Sequence, residues 1–336
     1  MENINDNTIV TTVSGALRRT LKEEMEKDER IFLLGEDIGD PYGGIYKVTK
    51  GLMSQFGKER VINSPLSEIA IAGAGVGAAI AGMKPVIEIM YADFLPITMD
   101  QLVNCAAKMY FLSHGRTSVP LVIRANYGSG KAEGALHSQS PEAWFLNFPG
   151  IKVVAPSTPR DAQGLLKSSI DDNNPVLFLE HKMLYNLKGK ILKENVPIPL
   201  GKADIKKEGK DLTIVACSIM VHKSLMAAQE LEQEGISVEV VDIRTLKPFD
   251  EDTICQSVKK TGRLLVVEEN PYTGGWGAQV VQTVVDKEFD SLKQAPRRLT
   301  TPDIPLPARK DFEDYLVPNV EKIKTKVKEM LLSKVN

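Results

Sequence analysis

The chain has 336 residues, and its 42 Lys and Arg against 44 Asp and Glu give a formal net charge of −2. This balance excludes a general nucleic-acid binder, which needs a basic excess to neutralise phosphates. A hydrophobic fraction of 43% and a charged fraction of 26% are ordinary globular values, so a disordered or collagen-like chain is also excluded. The length predicts two domains of about 150 residues each.

In the first part of the chain, apolar runs alternate with segments of helical periodicity, as expected when buried strands alternate with helices. We predict strands at 31–35, 61–62, 85–91, 120–124, 152–155 and 176–179, and helices at 8–28, 69–82, 99–112 and 161–171. Such alternation is typical of a doubly wound, mainly parallel α/β sheet.

The pattern stops in a lysine-rich segment with two prolines and then starts again. We predict further strands at 212–216, 237–241 and 263–268, and helices at 221–234, 250–260 and 319–332. The sequence therefore predicts a first α/β domain at 1–190, a linker at 191–211 and a second, smaller α/β domain at 212–336.

The three cysteines, Cys105, Cys217 and Cys255, are widely spaced and odd in number. They form neither a disulfide framework nor a metal-binding CxxC pair. The N-terminal residues are acidic and polar, unlike a signal peptide, and the longest apolar stretch, 69–83, is shorter than a membrane span. We therefore expect a cytoplasmic protein that does not enter a membrane.

Gly73, Gly75 and Ala78 match the dinucleotide-binding pattern G-x-G-x-x-G/A. A nucleotide site needs the first glycine directly at the end of a strand, whereas here the glycines lie inside a predicted helix. Close packing of that helix is the favoured interpretation. A nicotinamide-dependent dehydrogenase remains the alternative.

Glu68 lies where a proline-containing loop joins this apolar helix. It is either a helix-start charge favoured by the helix dipole, or a carboxyl held in an apolar pocket with a raised pKa. The residues around it leave both interpretations open.

Three further features could carry function. Glu36-Asp37 and Glu268-Glu269 each follow an apolar strand, where open α/β sheets place ligands, although a solvent-exposed charge is the favoured interpretation for Glu269. His137 lies in a small polar loop, a kind of segment that often carries function.

The sequence motifs GxSxG and HExxH are absent, so a serine-hydrolase triad and a zinc site have no support.

Seven motifs, taken together and in order, resemble the β subunit of the thiamine-diphosphate-dependent decarboxylating component of 2-oxo acid dehydrogenase complexes, in the transketolase-like superfamily. The resemblance covers roughly residues 8–332, and it implies a pyrimidine-binding domain followed by a transketolase C-terminal domain. The motifs are Leu33-Leu34-Gly35-Glu36-Asp37, Ser64-Pro65-Leu66-Ser67-Glu68, Asp93-Phe94 with Asp100-Gln101, His137-Ser138-Gln139-Ser140, Asp172-Asn173-Asn174-Pro175-Val176, Asp242-Ile243-Arg244-Thr245-Leu246-Lys247-Pro248, and Glu268-Glu269 with Gly274-Gly275.

By this resemblance, Glu68 hydrogen-bonds the aminopyrimidine ring of the cofactor and is catalytic. Phe94 packs on that ring, and Leu66 and Glu36 are further cofactor-binding residues. His137, the second catalytic candidate, faces the substrate near the entry of the lipoyl-lysine arm. A carboxyl that shares a proton with the ring nitrogen favours the tautomer in which the cofactor activates itself, most effectively where water is scarce. Leu66 and Ile69 are expected to provide those dry surroundings.

The resemblance also implies metals and partners. A potassium site is carried over to Leu121, Ser169, Ile170, Asp172 and Asn174, with three of them acting through backbone carbonyls. Magnesium would hold the diphosphate, yet the Gly-Asp-Gly anchor of the superfamily is absent from this sequence. We therefore expect an α subunit to supply the magnesium ligands, in an α2β2 assembly with the cofactor at the subunit interface.

Pyruvate is the first substrate expected from the resemblance, followed by acetoin and then by branched-chain 2-oxo acids. The acyl group would pass to the lipoyl group of a dihydrolipoyl acyltransferase core. A non-catalytic assembly module, in which Glu68 is only a helix-start charge, is the alternative from a different functional class.

Overall fold

A computed structural model describes residues 7–332, which form two compact units. The first unit contains the chain up to Tyr127 and returns at Phe145–Leu200. The second contains Gly128–Trp144 and the chain from Gly201 onward. The boundaries 1–190, 191–211 and 212–336 remain a prediction, and the structure adds that segment 128–144 clusters with the second unit.

Up to residue 192, strands and helices alternate as the apolar pattern predicts. The strands are β1 (Thr8–Thr12), β2 (Ile31–Glu36), β3 (Val61–Ser64), β4 (Lys84–Ile89), β5 (Val122–Tyr127), β6 (Lys152–Val154), β7 (Val176–His181) and β8 (Lys188–Leu192). The helices are α1 (Val13–Lys27), α2 (Leu52–Phe56), α3 (Glu68–Ile80), α4 (Ala107–Leu112), α5 (Glu142–Leu146) and α6 (Pro159–Asp171).

The first unit contains a parallel sheet in the order β6-β7-β5-β4-β2-β3. Its central strands are almost wholly buried, which explains why they read as continuous apolar runs. Glu36 on β2 is in register with Ser64 on β3, and Gly35 is in register with Glu88 on β4. Because parallel strands end at the same edge, these polar residues lie together at the carboxyl edge of the sheet.

The remaining elements follow residue 200. The strands are β9 (Asp204–Lys207), β10 (Leu212–Ala216), β11 (Val238–Asp242), β12 (Thr245–Lys247), β13 (Leu264–Pro271) and β14 (Arg297–Thr301). The helices are α7 (Ile219–Gln233), α8 (Glu251–Thr261), α9 (Gly277–Glu288), α10 (Lys310–Leu316) and α11 (Val320–Leu332).

The second unit contains a sheet in the order β14-β13-β10-β11-β9, parallel except for the antiparallel edge strand β9. Its core includes Ile214, Val240 and Leu265 from the central strands, packed in one cluster with Val327 and Met330 from α11. The doubly wound α/β class predicted from the sequence is confirmed in both units.

Two local predictions are wrong. Residues 8–12, predicted as the start of a helix, form β1, which pairs antiparallel with β8. The Thr12 hydroxyl accepts a hydrogen bond from the Gly15 amide at 3.0 Å and begins α1 there instead. The predicted linker also contains β9, an edge strand of sequence Asp-Ile-Lys-Lys, whose charged residues hide its pairing from a search for apolar runs.

The glycine-rich stretch forms α3, as predicted. A Cβ on Gly75 would lie 2.7 Å from Cγ2 of Ile87 on β4, so this glycine allows helix and sheet to approach closely. Gly73 lies inside the helix rather than at a strand end, so the dinucleotide geometry is not formed. Within residues 7–332, helices long and apolar enough to cross a bilayer are absent.

Candidate active site

Glu68 is the first residue of α3, close after the end of β3. Its side chain is only 8% exposed, and within residues 7–332 its carboxylate accepts no hydrogen bond. The N-cap residue Ser67 provides no side-chain cap, so the first turn has free backbone amides that favour a nearby negative charge. Glu68 is therefore a buried acid with unused hydrogen-bonding capacity at the carboxyl edge of the sheet.

Glu36 ends β2 at the same edge and is half-buried. Burial raises the pKa of Glu36, and the neighbouring charges of Asp37 and Glu68 raise it further. Glu36 is in register with Ser64 at the end of β3, four residues before Glu68, so the two acids share this edge of the sheet. The structure thus brings together two of the predicted cofactor-binding residues.

Leu66 and Ile69, which are expected from the sequence to provide dry surroundings for Glu68, are exposed in the single chain. Their side chains are 72% and 52% exposed, respectively, on the surface beside Glu68. The dry surroundings therefore stay a prediction, which requires a second chain to cover these two side chains.

Phe94 lies in a helical turn, Ala92–Thr98, that follows β4. Its ring is half-buried and stands edge-on to Tyr91, with 6.3 Å between ring centroids. This edge-to-face contact holds the ring in a defined orientation.

A buried ionic network, missed by the sequence analysis, lies behind the same edge. Arg124 donates from Nη1 to Glu88 at 2.6 Å and from Nε and Nη2 to the two carboxylate oxygens of Glu180 at 2.7 Å. The Tyr185 hydroxyl donates to Glu180 at 2.6 Å. The available signal was a charged residue inside each of three mainly apolar strands: Glu88 in β4, Arg124 in β5 and Glu180 in β7.

The network shifts the pKa values of its own members, and Glu88 contacts the loop that follows Glu36. Burial raises the pKa of Glu88, with Arg124 opposing it, while the carboxylates of Glu180 and Glu88 overcome burial to raise the pKa of Arg124. Gly44 has a φ of +75°, and a Cβ on this residue would lie 3.1 Å from Glu88 Oε1. Glycine is therefore required where the loop passes over Glu88.

His137 belongs to segment 128–144 of the second unit and is half-buried. This segment is fixed by side chains of its own unit. The Glu313 carboxylate accepts hydrogen bonds from the backbone amides of Gly130 and Ala132, both at 3.0 Å. The structure therefore places His137 on an anchored loop in one unit and Glu36 and Glu68 in the other.

The expectation that Glu269 is solvent-exposed is wrong. This residue is only 7% exposed, and the Ser129 hydroxyl donates to its carboxylate. The next residue, Asn270, donates to Glu142 at 3.1 Å. The local sequence gave no sign of this burial, because the partners come from the distant segment 128–144.

The five residues carried over for potassium lie in the first unit, around the end of α6 and the start of β5. The Leu121 carbonyl accepts from the Val176 amide at 2.9 Å, and Asp172 accepts from the Asn174 amide at 2.9 Å. The Ser169 hydroxyl donates to the Leu165 carbonyl, and Asp172 also pairs with Lys152. Groups of three or more His, Cys, Asp or Glu arranged for a metal ion are absent from the described part of the chain. The potassium site at these residues, including Ile170, stays a prediction.

Comparison with known proteins relates this geometry to a family. The transketolase pyrimidine binding domain matches residues 10–188, and the transketolase C-terminal domain matches residues 201–323. The 2-oxoisovalerate dehydrogenase subunit beta of Bacillus subtilis (strain 168) is 44% identical over 317 residues, covering 94% of this chain and 97% of that protein. The chain belongs to this family of dehydrogenase β subunits. The resemblance seen in the seven motifs is therefore confirmed.

Other members of the family carry different names. The acetoin:2,6-dichlorophenolindophenol oxidoreductase subunit beta of B. subtilis (strain 168) is 40% identical over 333 residues, 96% of this chain and 97% of that protein. The mitochondrial pyruvate dehydrogenase E1 component subunit beta of Pisum sativum is 43% identical over 316 residues, 93% of this chain and 88% of that protein. Family membership implies thiamine diphosphate as cofactor, and the subunit names imply an α partner.

A solved structure supports the fold. A split-gene transketolase, described as an inactive β4 tetramer, superposes with a TM-score of 0.78 at 22% identity, covering 95% of this chain and 97% of that one. At this identity the match shows the fold alone.

Proposed function

We propose that this chain is the β subunit of the first component of a 2-oxo acid dehydrogenase complex and supplies the pyrimidine half of a thiamine diphosphate site. The observation that carries the proposal is the Glu68 carboxyl, buried at the start of α3 and without a hydrogen bond from the described residues. A buried acid of this kind needs a partner, and a ring nitrogen of an aminopyrimidine is chemically suited to be one.

The donor set fits the cofactor. When bound, thiamine diphosphate would supply the nucleophilic carbon that adds to a 2-oxo acid and permits loss of carbon dioxide. Glu68 would share a proton with the pyrimidine nitrogen. Glu36, whose pKa is raised by burial and by its acidic neighbours, would lie at the same edge of the sheet. Phe94 would pack on the ring, and Leu66 would exclude water once a second chain covers it.

The remaining parts of the site are assigned to a partner. Because the sequence lacks Gly-Asp-Gly, we propose that an α subunit holds magnesium and the diphosphate, in an α2β2 assembly. A dihydrolipoyl acyltransferase core would then accept the acyl group. Potassium at Leu121, Ser169, Ile170, Asp172 and Asn174 would have a structural role.

Pyruvate is the proposed substrate, and acetoin is the second candidate because a relative named for it aligns over 96% of this chain. The direct test is co-expression with the α subunit, followed by parallel assays of pyruvate, acetoin and 3-methyl-2-oxobutanoate. Turnover of pyruvate at the highest kcat/KM would support the assignment, and a clear preference for either other substrate would replace it.

Substitution of Glu68 separates a catalytic role from a structural one. In the assembled α2β2 enzyme, Glu68→Gln should lower the rate of decarboxylation by about 100-fold or more, the scale of lost acid–base assistance. The matched control is Glu59→Gln, an exposed carboxylate, which should leave the rate unchanged. Normal turnover in Glu68→Gln would favour the non-catalytic assembly module instead.

The proposed position of His137 on the substrate side predicts a selective defect. His137→Ala should slow transfer of the acyl group to the lipoyl domain more than it slows decarboxylation, because the imidazole would assist the acceptor rather than the cofactor. The two half-reactions are measured separately, with an artificial electron acceptor for the first. An equal loss in both would contradict this role.

A further inference from the structure

A cavity of about 610 Å³ lies within the second unit. Its wall combines the segment that follows His137, the end of β13 and the residues after β14. The residues that carry the argument are Ser138, Trp144, Glu269, Thr301, Asp303 and Leu306. Glu36, Glu68, Leu66 and Phe94 belong to the other unit, and His137 does not line this cavity. The volume suits a small organic molecule.

Hydrogen bonds within the unit hold the cavity wall in place. Ser129 donates to Glu269, and Asn270 donates to Glu142 at 3.1 Å and to the Ser140 carbonyl. Together with the contacts of Glu313, these bonds fix segment 128–144 against β13 and α10. The cavity is therefore a preformed feature of the unit rather than a gap between mobile surface loops.

The titratable side chains that line the cavity are both acids, Glu269 and Asp303. Thr273 donates to Asp303 from its backbone amide at 2.9 Å and from its hydroxyl at 2.7 Å, and these bonds lower the pKa of Asp303. Lys, Arg and His are absent from the lining formed by the described residues. Two cations lie near these acids outside the lining: Lys223, near Glu269, donates to the Pro318 carbonyl, and Arg298, near Asp303, donates to Glu268 and to the Tyr272 carbonyl. The cavity therefore disfavours anions and favours a cation.

The rest of the wall is mainly apolar, with Trp144, Ile304 and Leu306 as its largest side chains. An aromatic ring of this kind also attracts a cation to its face. The hydroxyl oxygens of Ser138 and Thr301 are buried and have no hydrogen-bond partner among residues 7–332. Unpartnered polar groups beside a cavity are places where a ligand or water can complete the hydrogen bonding.

We propose that this cavity binds a small organic cation. Its ammonium group pairs with the carboxylates of Glu269 and Asp303, and its apolar body lies against Trp144 and Leu306. This inference goes beyond the proposed decarboxylase function and does not depend on it, since all residues that line the cavity belong to one unit of this chain.

Calorimetric titration of the full-length chain tests the proposal with three probes of one shape. Benzylamine is a cation at neutral pH, benzyl alcohol is neutral and benzoate is an anion. We expect benzylamine to bind at least about tenfold more tightly than benzyl alcohol, and benzoate to bind most weakly. Equal affinities for the three probes, or no binding of benzylamine up to about 10 mM, would overturn the proposal.

Substitutions locate the binding. Glu269→Gln should weaken benzylamine by about tenfold or more, the loss expected for a charge-assisted hydrogen bond. Asp303→Asn, at an exposed position, gives a second test that does not depend on the buried Glu269 variant folding. The control is Glu234→Gln, an exposed acid of the same unit outside the cavity. Unchanged affinity in Asp303→Asn and in a folded Glu269→Gln would refute the assignment.

Discussion

Carboxyl side chains in this protein differ mainly in how much water and how many donors reach them. Asp40 is half-buried and accepts hydrogen bonds from Ser54 and Gly51, which lower its pKa. Glu36 is half-buried beside other acids, and its pKa is raised. Glu142 is buried, and burial together with the charges of Glu269 and Glu268 raises its pKa to about 8, against opposing hydrogen bonds that include one from Asn270. The same functional group thus has different charge states at neutral pH.

The raised pKa of Glu142 predicts a pH dependence of stability. Between its ordinary value of 4.5 and about 8, the folded protein keeps a proton that the unfolded chain releases. The free energy of unfolding should therefore fall as pH rises through this window, by a few kcal/mol from this residue. Glu142→Gln should flatten the fall.

Urea unfolding at pH 5 and at pH 8 measures this effect in the wild type and in both variants. Glu194→Gln, an exposed acid of the first unit, is the control and should retain the wild-type pH dependence. An unchanged slope in Glu142→Gln would show that another group dominates.

Among the elements, α3 connects packing to the site. Its buried face, which includes Ile71 and Val76, packs toward the sheet while Glu68 occupies its first turn. Close approach to β4 depends on Gly75, because a larger residue would meet Ile87. The position of Glu68 relative to Glu36 is therefore set by how closely one helix packs on one sheet.

Two glycines of α3 provide a matched test of this packing. Gly75→Ala should lower the free energy of unfolding by about 1–3 kcal/mol, because the new methyl group would overlap Ile87. Gly77→Ala places its methyl group in open space and should raise stability by up to about 1 kcal/mol through helix propensity. Chemical denaturation of the isolated chain gives both values, and equal effects would contradict the packing account.

At the scale of the whole molecule, the family and the missing Gly-Asp-Gly anchor point to a protein that contributes part of a larger site. The apolar side chains of Leu66 and Ile69, exposed beside the buried Glu68, fit that arrangement. Under the proposed α2β2 assembly, a second chain would cover the face of α3 that this chain leaves exposed.

The shared-site proposal predicts that cofactor affinity requires both subunits. The isolated chain should bind thiamine diphosphate with magnesium at least about 100-fold more weakly than the α2β2 enzyme, because the diphosphate contacts would be missing. Calorimetry on the isolated and assembled proteins measures the difference. Tight binding by the chain alone would overturn the shared site.

The sequence by itself determined the fold class and the local setting of Glu68. Apolar runs and helical periodicity depend only on neighbouring residues, so they predicted the parallel α/β units and the glycine-rich helix that begins at Glu68. The seven motifs were equally local, and their order was enough to identify the family.

Only the tertiary structure decided which distant residues meet. In the folded chain, Ser129 donates a hydrogen bond to the buried Glu269, and Arg124 donates to Glu88 and Glu180. Residues 8–12 form β1 because they pair with β8. Leu66 stays exposed beside the buried Glu68. The physical reason is that burial, pairing and pKa depend on contacts between segments far apart in the chain, and no local pattern encodes them.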